Sequence, residues 1–324
     1  MTGGGLALVL ATFVDALWTT LWLEGGAGPL TARLSTGLWR AWRALIGHKN
    51  HRLLSLAGPL ILFATVISWV ALIGAGWTLV FSAEPGALLD SRTRQPAGLT
   101  GRVWFVFYTI FTLGNGDYMP NGDAYQLAGT ATVASGMILV TLAITYVLSV
   151  VSAVVNKRSF ASHVSGFGES AEEFVLTAWD GAGFGALAPQ LTSLTSSVSV
   201  LAEQHQAYPM LHYYHAASRS KASGPAIVVF DEALTILEHA VVESHRPKPA
   251  ELRPARHTVS SYLGTLASAF IVPADRTPSP PGLDKIRDAS VPVVSDEGFA
   301  SILEKHSRRR RLLLGVLTND GWSS

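Results

Sequence analysis

The residues with the most chemical content in this sequence are Thr112-Leu113-Gly114-Asn115-Gly116-Asp117, which follow an aromatic stretch, Trp104-Phe105-Val106-Phe107-Tyr108. Two glycines separated by one residue permit a backbone that alternates between right- and left-handed conformations, because glycine enters the left-handed region without steric cost. That alternation turns consecutive carbonyl oxygens toward one axis. A column of such carbonyls can take over the hydration shell of a cation. The chemistry is coordination and release, with no bond made or broken. A second polar group, His205, His212 and His215 interleaved with Tyr208, Tyr213 and Tyr214, has the side-chain types for zinc or for titration near neutrality. Its plainer reading is helix-end and interface hydrogen bonding. The absence of cysteine removes disulfides, zinc-thiolate sites and thiol nucleophiles.

The elements that must position these groups are set by apolar runs. Of 324 residues, 48% are hydrophobic and only 15% charged, and mean hydropathy is +0.31; soluble domains average about 25% charged. Leu53 to Ala83 and Ala124 to Asn156 contain no Asp, Glu, Lys, Arg or His, and each exceeds the roughly 20 residues a helix needs to cross a bilayer. A third apolar stretch, Leu6 to Leu23, carries Asp15. It reads as a true span with Asp15 facing other helices. A signal peptide is the alternative, but no Lys or Arg precedes Arg33, and Glu24 to Gly28 makes a weak cleavage site.

Orientation follows from the basic loop between Glu24 and Arg52, which the positive-inside rule places in the cytoplasm. Within it Leu30, Leu34, Leu38, Trp42 and Leu45 recur at helical spacing opposite Arg33, Arg40 and Arg43. This is an amphipathic helix, lying in the inner membrane interface or packed on the protein itself. Lys157 and Arg158 mark the cytoplasmic end of the last span. Val103 to Gly116 is uncharged but too short to cross, and a crossing there would put Lys157 and Arg158 outside. It is therefore a re-entrant segment, tolerated at that depth only where protein buries it or it lines a wet path. Net charge is +1 with no broad basic face, which argues against nucleic acid as a partner.

The pattern Thr-x-Gly-x-Gly-Asp after a half-length aromatic helix, between two full spans, resembles the tetrameric potassium-channel superfamily, specifically its two-helix pore module, with a variant Thr-Leu-Gly-Asn-Gly-Asp filter. The resemblance covers roughly residues 53–156 and implies an outer helix, a pore helix, a selectivity filter and an inner helix in a homotetramer. It implies that Thr112, Leu113, Gly114, Asn115 and Gly116 form the ion-binding filter, with a hydroxyl ring from Thr112. It further implies that Trp104, Phe105, Tyr108 and Asp117 support that filter, the Trp104 indole bonding Asp117. Gly136 falls at the family's gating glycine; close helix packing is the equally open alternative. The departure is Asn115, where the family has an aromatic residue, together with Phe105 at the position of its usual partner. That pairing implies a different packing scheme, through Tyr108, and weaker discrimination of potassium from sodium.

From Lys157 onward acidic and basic residues are near balance and prolines gather, as in a soluble domain. Leu187, Leu191, Leu194, Val198 and Leu201 follow helical a/d spacing. Helices are also expected over 226–242, 257–272 and 299–317, with 273–297 a loose linker and Arg308 to Arg311 a solvated or lipid-facing basic end. The expected architecture is an all-α membrane protein. It has three domains: 1–52, a transmembrane helix and an interfacial helix; 53–156, the pore module; and 157–324, a helical cytoplasmic domain for assembly or regulation. The expected function is a passive channel of the plasma membrane that conducts potassium as a homotetramer among lipids. It is not an enzyme, and needs no cofactor beyond the permeant potassium, or sodium. The alternatives are a sodium/potassium nonselective channel and a non-conducting scaffold or receptor.

Overall fold

A computed structural model describes residues 2–47, 50–114, 116–269 and 271–322. The chain is mainly helical and forms two compact units. The first takes residues 1–41, 59–150 and 207–210; the second takes 42–58, 151–206 and 211–324. In chain order the helices are α1 (Thr2–Leu21), α2 (Pro29–Ile46), α3 (His51–Leu54), α4 (Ala57–Phe81), α5 (Leu99–Ile110), α6 (Asp123–Ser165), α7 (Ala171–Ala178), α8 (Leu187–Ala207), α9 (Ser223–Thr235), α10 (Pro249–Ala269), α11 (Asp284–Asp288), α12 (Asp296–Lys305) and α13 (Ser307–Asn319). Two three-residue strands, β1 (Leu88–Asp90) and β2 (Tyr118–Pro120), pair antiparallel. Thr2–Leu21, His51–Phe81 and Asp123–Ser165 are long and apolar enough to cross a membrane.

In the first unit, α1 and α4 approach through small residues. A Cβ on Gly5 would stand 2.6 Å from the Gly76 carbonyl oxygen, and one on Gly76 would stand 2.6 Å from a Val9 methyl. Close backbone approach of this kind replaces the hydrophobic drive that is missing between helices in lipid. Asp15 is buried and faces protein, as the sequence requires of a carboxyl in a span. It accepts hydrogen bonds from the Leu30 amide (2.7 Å), the Thr31 hydroxyl (2.6 Å) and the Trp69 indole (3.0 Å), and so ties α1 to the first turn of α2 and to α4. A carboxyl at a helix N-terminus meets free amides and the positive end of the helix dipole. On α2 the buried residues are Thr31 and Ser35, whereas Leu30, Leu38 and, at 82% exposure, Leu45 face outward. Leu34 and Trp42 of the same face are half-buried, and the Trp42 indole donates to the Leu53 carbonyl (3.1 Å), so the chain itself covers this face in part.

In the second unit, α9 forms the centre and packs against α7, α10 and α13; Ile227, Phe230, Ala233 and Leu234 are completely buried. It continues into a π-turn over Ile236–Ala240. Asp231 of α9 is buried between Arg256 of α10 (2.8 Å) and Arg309 of α13 (2.9 Å). Glu232 accepts from Arg310 (3.1 Å), and burial nonetheless raises its carboxyl above the usual range. The basic run thus corrects its expected role: Arg309 and Arg310 face inward to meet carboxylates of the unit's own core. The expected helix over 299–317 is broken at His306, where α12 ends and α13 begins. The expected loose linker is pinned, because the Ala274 amide donates to the Arg311 carbonyl (2.9 Å), Arg310 to the Ser279 carbonyl (2.6 Å), and the Gly282 amide to Glu172 (2.9 Å).

Candidate functional site

The site is assembled by α4, α5, α6 and the turns around them. α5 has 12 residues, about 18 Å of helix, too short to span. It is seated on its neighbours by two glycines. The Phe107 ring occupies the space a Cβ on Gly74 of α4 would need, and the Ile110 carbonyl occupies the space a Cβ on Gly136 of α6 would need. Phe105 is buried edge-on against Phe81 of α4, with centroids 5.1 Å apart. The Trp77 indole donates to the Ser135 hydroxyl (2.9 Å), joining α4 to α6 beside α5.

At the C-terminal end of α5 the amides of Thr112 and Leu113 donate back to the carbonyls of Thr109 and Tyr108, both at 3.0 Å. The chain then leaves with φ +58° at Thr112 and +73° at Gly114, two left-handed residues separated by one. A β-branched residue in that region costs on the order of 1–3 kcal/mol, which the surrounding structure must hold. Thr112 is a left-handed position that the glycine spacing could not announce. Asn115 lies outside the described residues, and the peptide that sets φ of Gly116 begins there. Phe111 to Gly114, Gly116 and Asp117 are all exposed, Leu113 at 64%.

Beyond Asp117 the chain enters a small sheet that sequence reasoning missed. Leu88 pairs with Pro120, Leu89 with Met119 and Asp90 with Tyr118. The Ser91 amide donates to the Asp117 carbonyl (2.8 Å), and the Asn121 amide to that of Ala87 (3.0 Å). Asp90 closes the adjoining turn by accepting from the amides of Arg92 (2.9 Å) and Thr93 (2.8 Å); those amides, Thr93 first, lower its carboxyl pKa. Trp104 packs on Tyr108 (4.6 Å) and on Tyr118 (5.9 Å). α6 runs through Gly136 without a break, so what this glycine supplies here is room for the Ile110 carbonyl.

The three histidines singled out in the sequence are dispersed within the second unit. His205 is buried, bonds the Leu201 carbonyl (3.0 Å) and meets Tyr262 edge-on; burial, aided by Lys157, pushes it down to about 3. His212 is held at about 4, chiefly by burial, and its ring meets Asn319. His215 sits 2.7 Å from His51 and 3.2 Å from Asp320, and the Trp322 ring stacks on His51 at 4.0 Å. No group of three metal-ligating side chains forms among the described residues. Lys157, expected as a charged end of a span, is buried and donates to the carbonyls of Leu211 (3.1 Å) and Tyr214 (2.9 Å).

A family model described as an ion channel matches residues 60–153, the stretch that contains α5, Thr112, Gly114 and most of both flanking spans. The chain is similar over nearly its whole length to the uncharacterized membrane protein YdjJ of Bacillus subtilis (strain 168). The two are 39% identical over 313 residues, which is 97% of this chain and 92% of that protein. No solved structure matches the chain.

Proposed function

The chain belongs to the ion-channel pore-module family, a membrane protein with a channel rather than an enzymatic role that acts as an assembly of several copies, and from that premise we propose that four copies form a passive potassium channel. The observation that carries the proposal is the alternation at Thr112 and Gly114, in an exposed segment that follows a half-length helix between two spans. A single copy leaves that segment uncovered. Four copies around one axis enclose it, and closed cyclic symmetry is the common solution for identical subunits. In this reading the carbonyls of Thr112, Leu113, Gly114 and Asn115 replace the water of a potassium ion, Thr112 adds its hydroxyl, and Gly116 and Asp117 lead out of the filter. Gly136, which makes room for the Ile110 carbonyl in this structure, is in this reading also the point at which the inner helix bends on opening. The membrane is the plasma membrane, with the second unit in the cytoplasm, as the basic residues between Glu24 and Arg52 favour.

A specific observation favours sodium/potassium nonselective conduction as the second reading. Asn115 cannot supply a ring, and Phe105 is committed to Phe81. Purified protein in liposomes separates these cases. Potassium flux with a reversal potential near the potassium equilibrium potential supports the first, and a reversal near zero in opposed sodium and potassium supports the second. A protein that carries neither ion, or that has a stable functional monomer or dimer by mass, overturns both in favour of a scaffold.

A further inference from the structure

α5 touches the exposed segment at both of its ends. The last turn holds the inner end, where Thr112 and Leu113 donate to the carbonyls of Thr109 and Tyr108. The first turn holds the outer end through one side chain. A Cβ on Gly101 would lie 2.6 Å from Cζ of Tyr118 and 2.7 Å from its hydroxyl oxygen, and the Trp104 ring meets the Tyr118 ring almost perpendicularly (74°) at 5.9 Å. Gly101 and Trp104 lie three residues apart, on one face of the helix. From the other side β1 fixes the backbone of Tyr118, which pairs with Asp90 while Ser91 donates to Asp117.

The two anchor points on α5, Gly101 and Tyr108, are seven residues apart, about 10 Å along the helix axis. The chain between them, Leu113 to Tyr118, covers five residue steps and can extend to about 17 Å. Where Tyr118 is held therefore bears on how far this segment extends.

We propose that Tyr118 is a positioning residue for ion selection, clamping the exit of the filter to the Gly101–Trp104 face of the pore helix. The proposal rests on the filter reading given above. Gly101 belongs to the same device, since the smallest side chain there would push the ring away.

The test is the sodium/potassium permeability ratio, from reversal potentials of purified protein in bilayers, with assembly checked by mass. Tyr118→Ala is expected to raise the ratio at least fivefold. Tyr118→Phe keeps the ring on Gly101 and is expected to lie closer to the wild type than to Tyr118→Ala. Gly101→Ala is expected to raise the ratio by displacing the ring, and Gly101→Ala with Tyr118→Ala to be no worse than Tyr118→Ala alone, the non-additivity of residues in contact. A conducting wild type beside an unchanged ratio in Tyr118→Ala overturns this proposal alone. A wild type that carries no cation overturns the filter reading and this proposal with it. Should Tyr118→Ala fail to assemble, Gly101→Ala decides: a wild-type ratio there overturns the clamp.

Discussion

Asp15→Ala would leave four donors without their acceptor: the Leu30 amide, the Thr31 amide, the Thr31 hydroxyl and the Trp69 indole. The hydroxyl can turn elsewhere, but the three N–H groups are fixed by backbone or ring. At about 1–3 kcal/mol for each buried group left unpaired, the loss is about 4 kcal/mol or more. A drop of roughly 10 °C in melting temperature follows, at about 2–4 °C per kcal/mol. Asp15→Asn separates lost space from lost acceptors. Its amide oxygen still serves Leu30 and Thr31, but its NH2 group, turned toward Trp69, sets donor against donor. Asp15→Asn should therefore fall between the wild type and alanine. Adding Trp69→Phe, which removes the opposing N–H, should recover part of the loss. Thermal unfolding of the detergent-solubilised protein, followed by loss of the monodisperse peak, reads all four forms. A melting temperature for Asp15→Ala within 2 °C of the wild type, or no recovery in the double variant, refutes the reasoning.

Gly136→Ala places a methyl group on the Ile110 carbonyl, a backbone group that cannot rotate aside, so potassium flux per assembled protein should fall severalfold; wild-type flux would show that α5 and α6 do not meet as described. His205 and His212 have folded values near 3 and 4, below the usual 6.5, so the unfolded chain binds their protons first and stability is lost as pH falls below 6.5. Between pH 6.5 and 5 the loss is about 2 kcal/mol for each, and His205→Gln should flatten the pH dependence of the melting temperature, though only in part, because burial also depresses His51, His239 and His306; an unaltered slope counts against it. Asp231→Ala strands Arg256 and Arg309 around an empty buried site and should cost about 3–5 kcal/mol, more than Asp231→Asn, in the same melting assay; equal melting of wild type and variant would contradict it.

What the sequence made legible was whatever a single run of residues encodes. Uncharged stretches mark spans whatever surrounds them, and the half-length aromatic run between two of them marks the pore module by itself. What escaped depends on partners distant in the chain. Strands of three residues, Leu88–Asp90 and Tyr118–Pro120, are too short for alternation to show, so the ladder at the exit and the placing of Tyr118 were hidden. Arg309 and Arg310 read as a solvated end because Asp231 and Glu232 lie 78 residues away. Phe105 was assigned to filter support by position, whereas its direction on α5 is set by packing against Phe81. Thr112 gave no sign of its left-handed backbone, since only the turn that closes α5 demands it.

The second unit is threaded discontinuously, and this bears on the order in which it can form. His51 and His215 are 164 residues apart in sequence yet share a hydrogen bond, and residues 59–150, including most of both long spans, lie between their segments. Closing so long a loop is slow and entropically costly when the chain between is free. Once α4 and α6 are inserted, that chain is no longer free, and the membrane has already performed most of the closure. Insertion of α4 and α6 thus lowers the entropic cost of bringing the segments of the second unit together. A soluble fragment beginning after α6 would be synthesised without α3, leaving His215 and Trp322 without the ring they stack on.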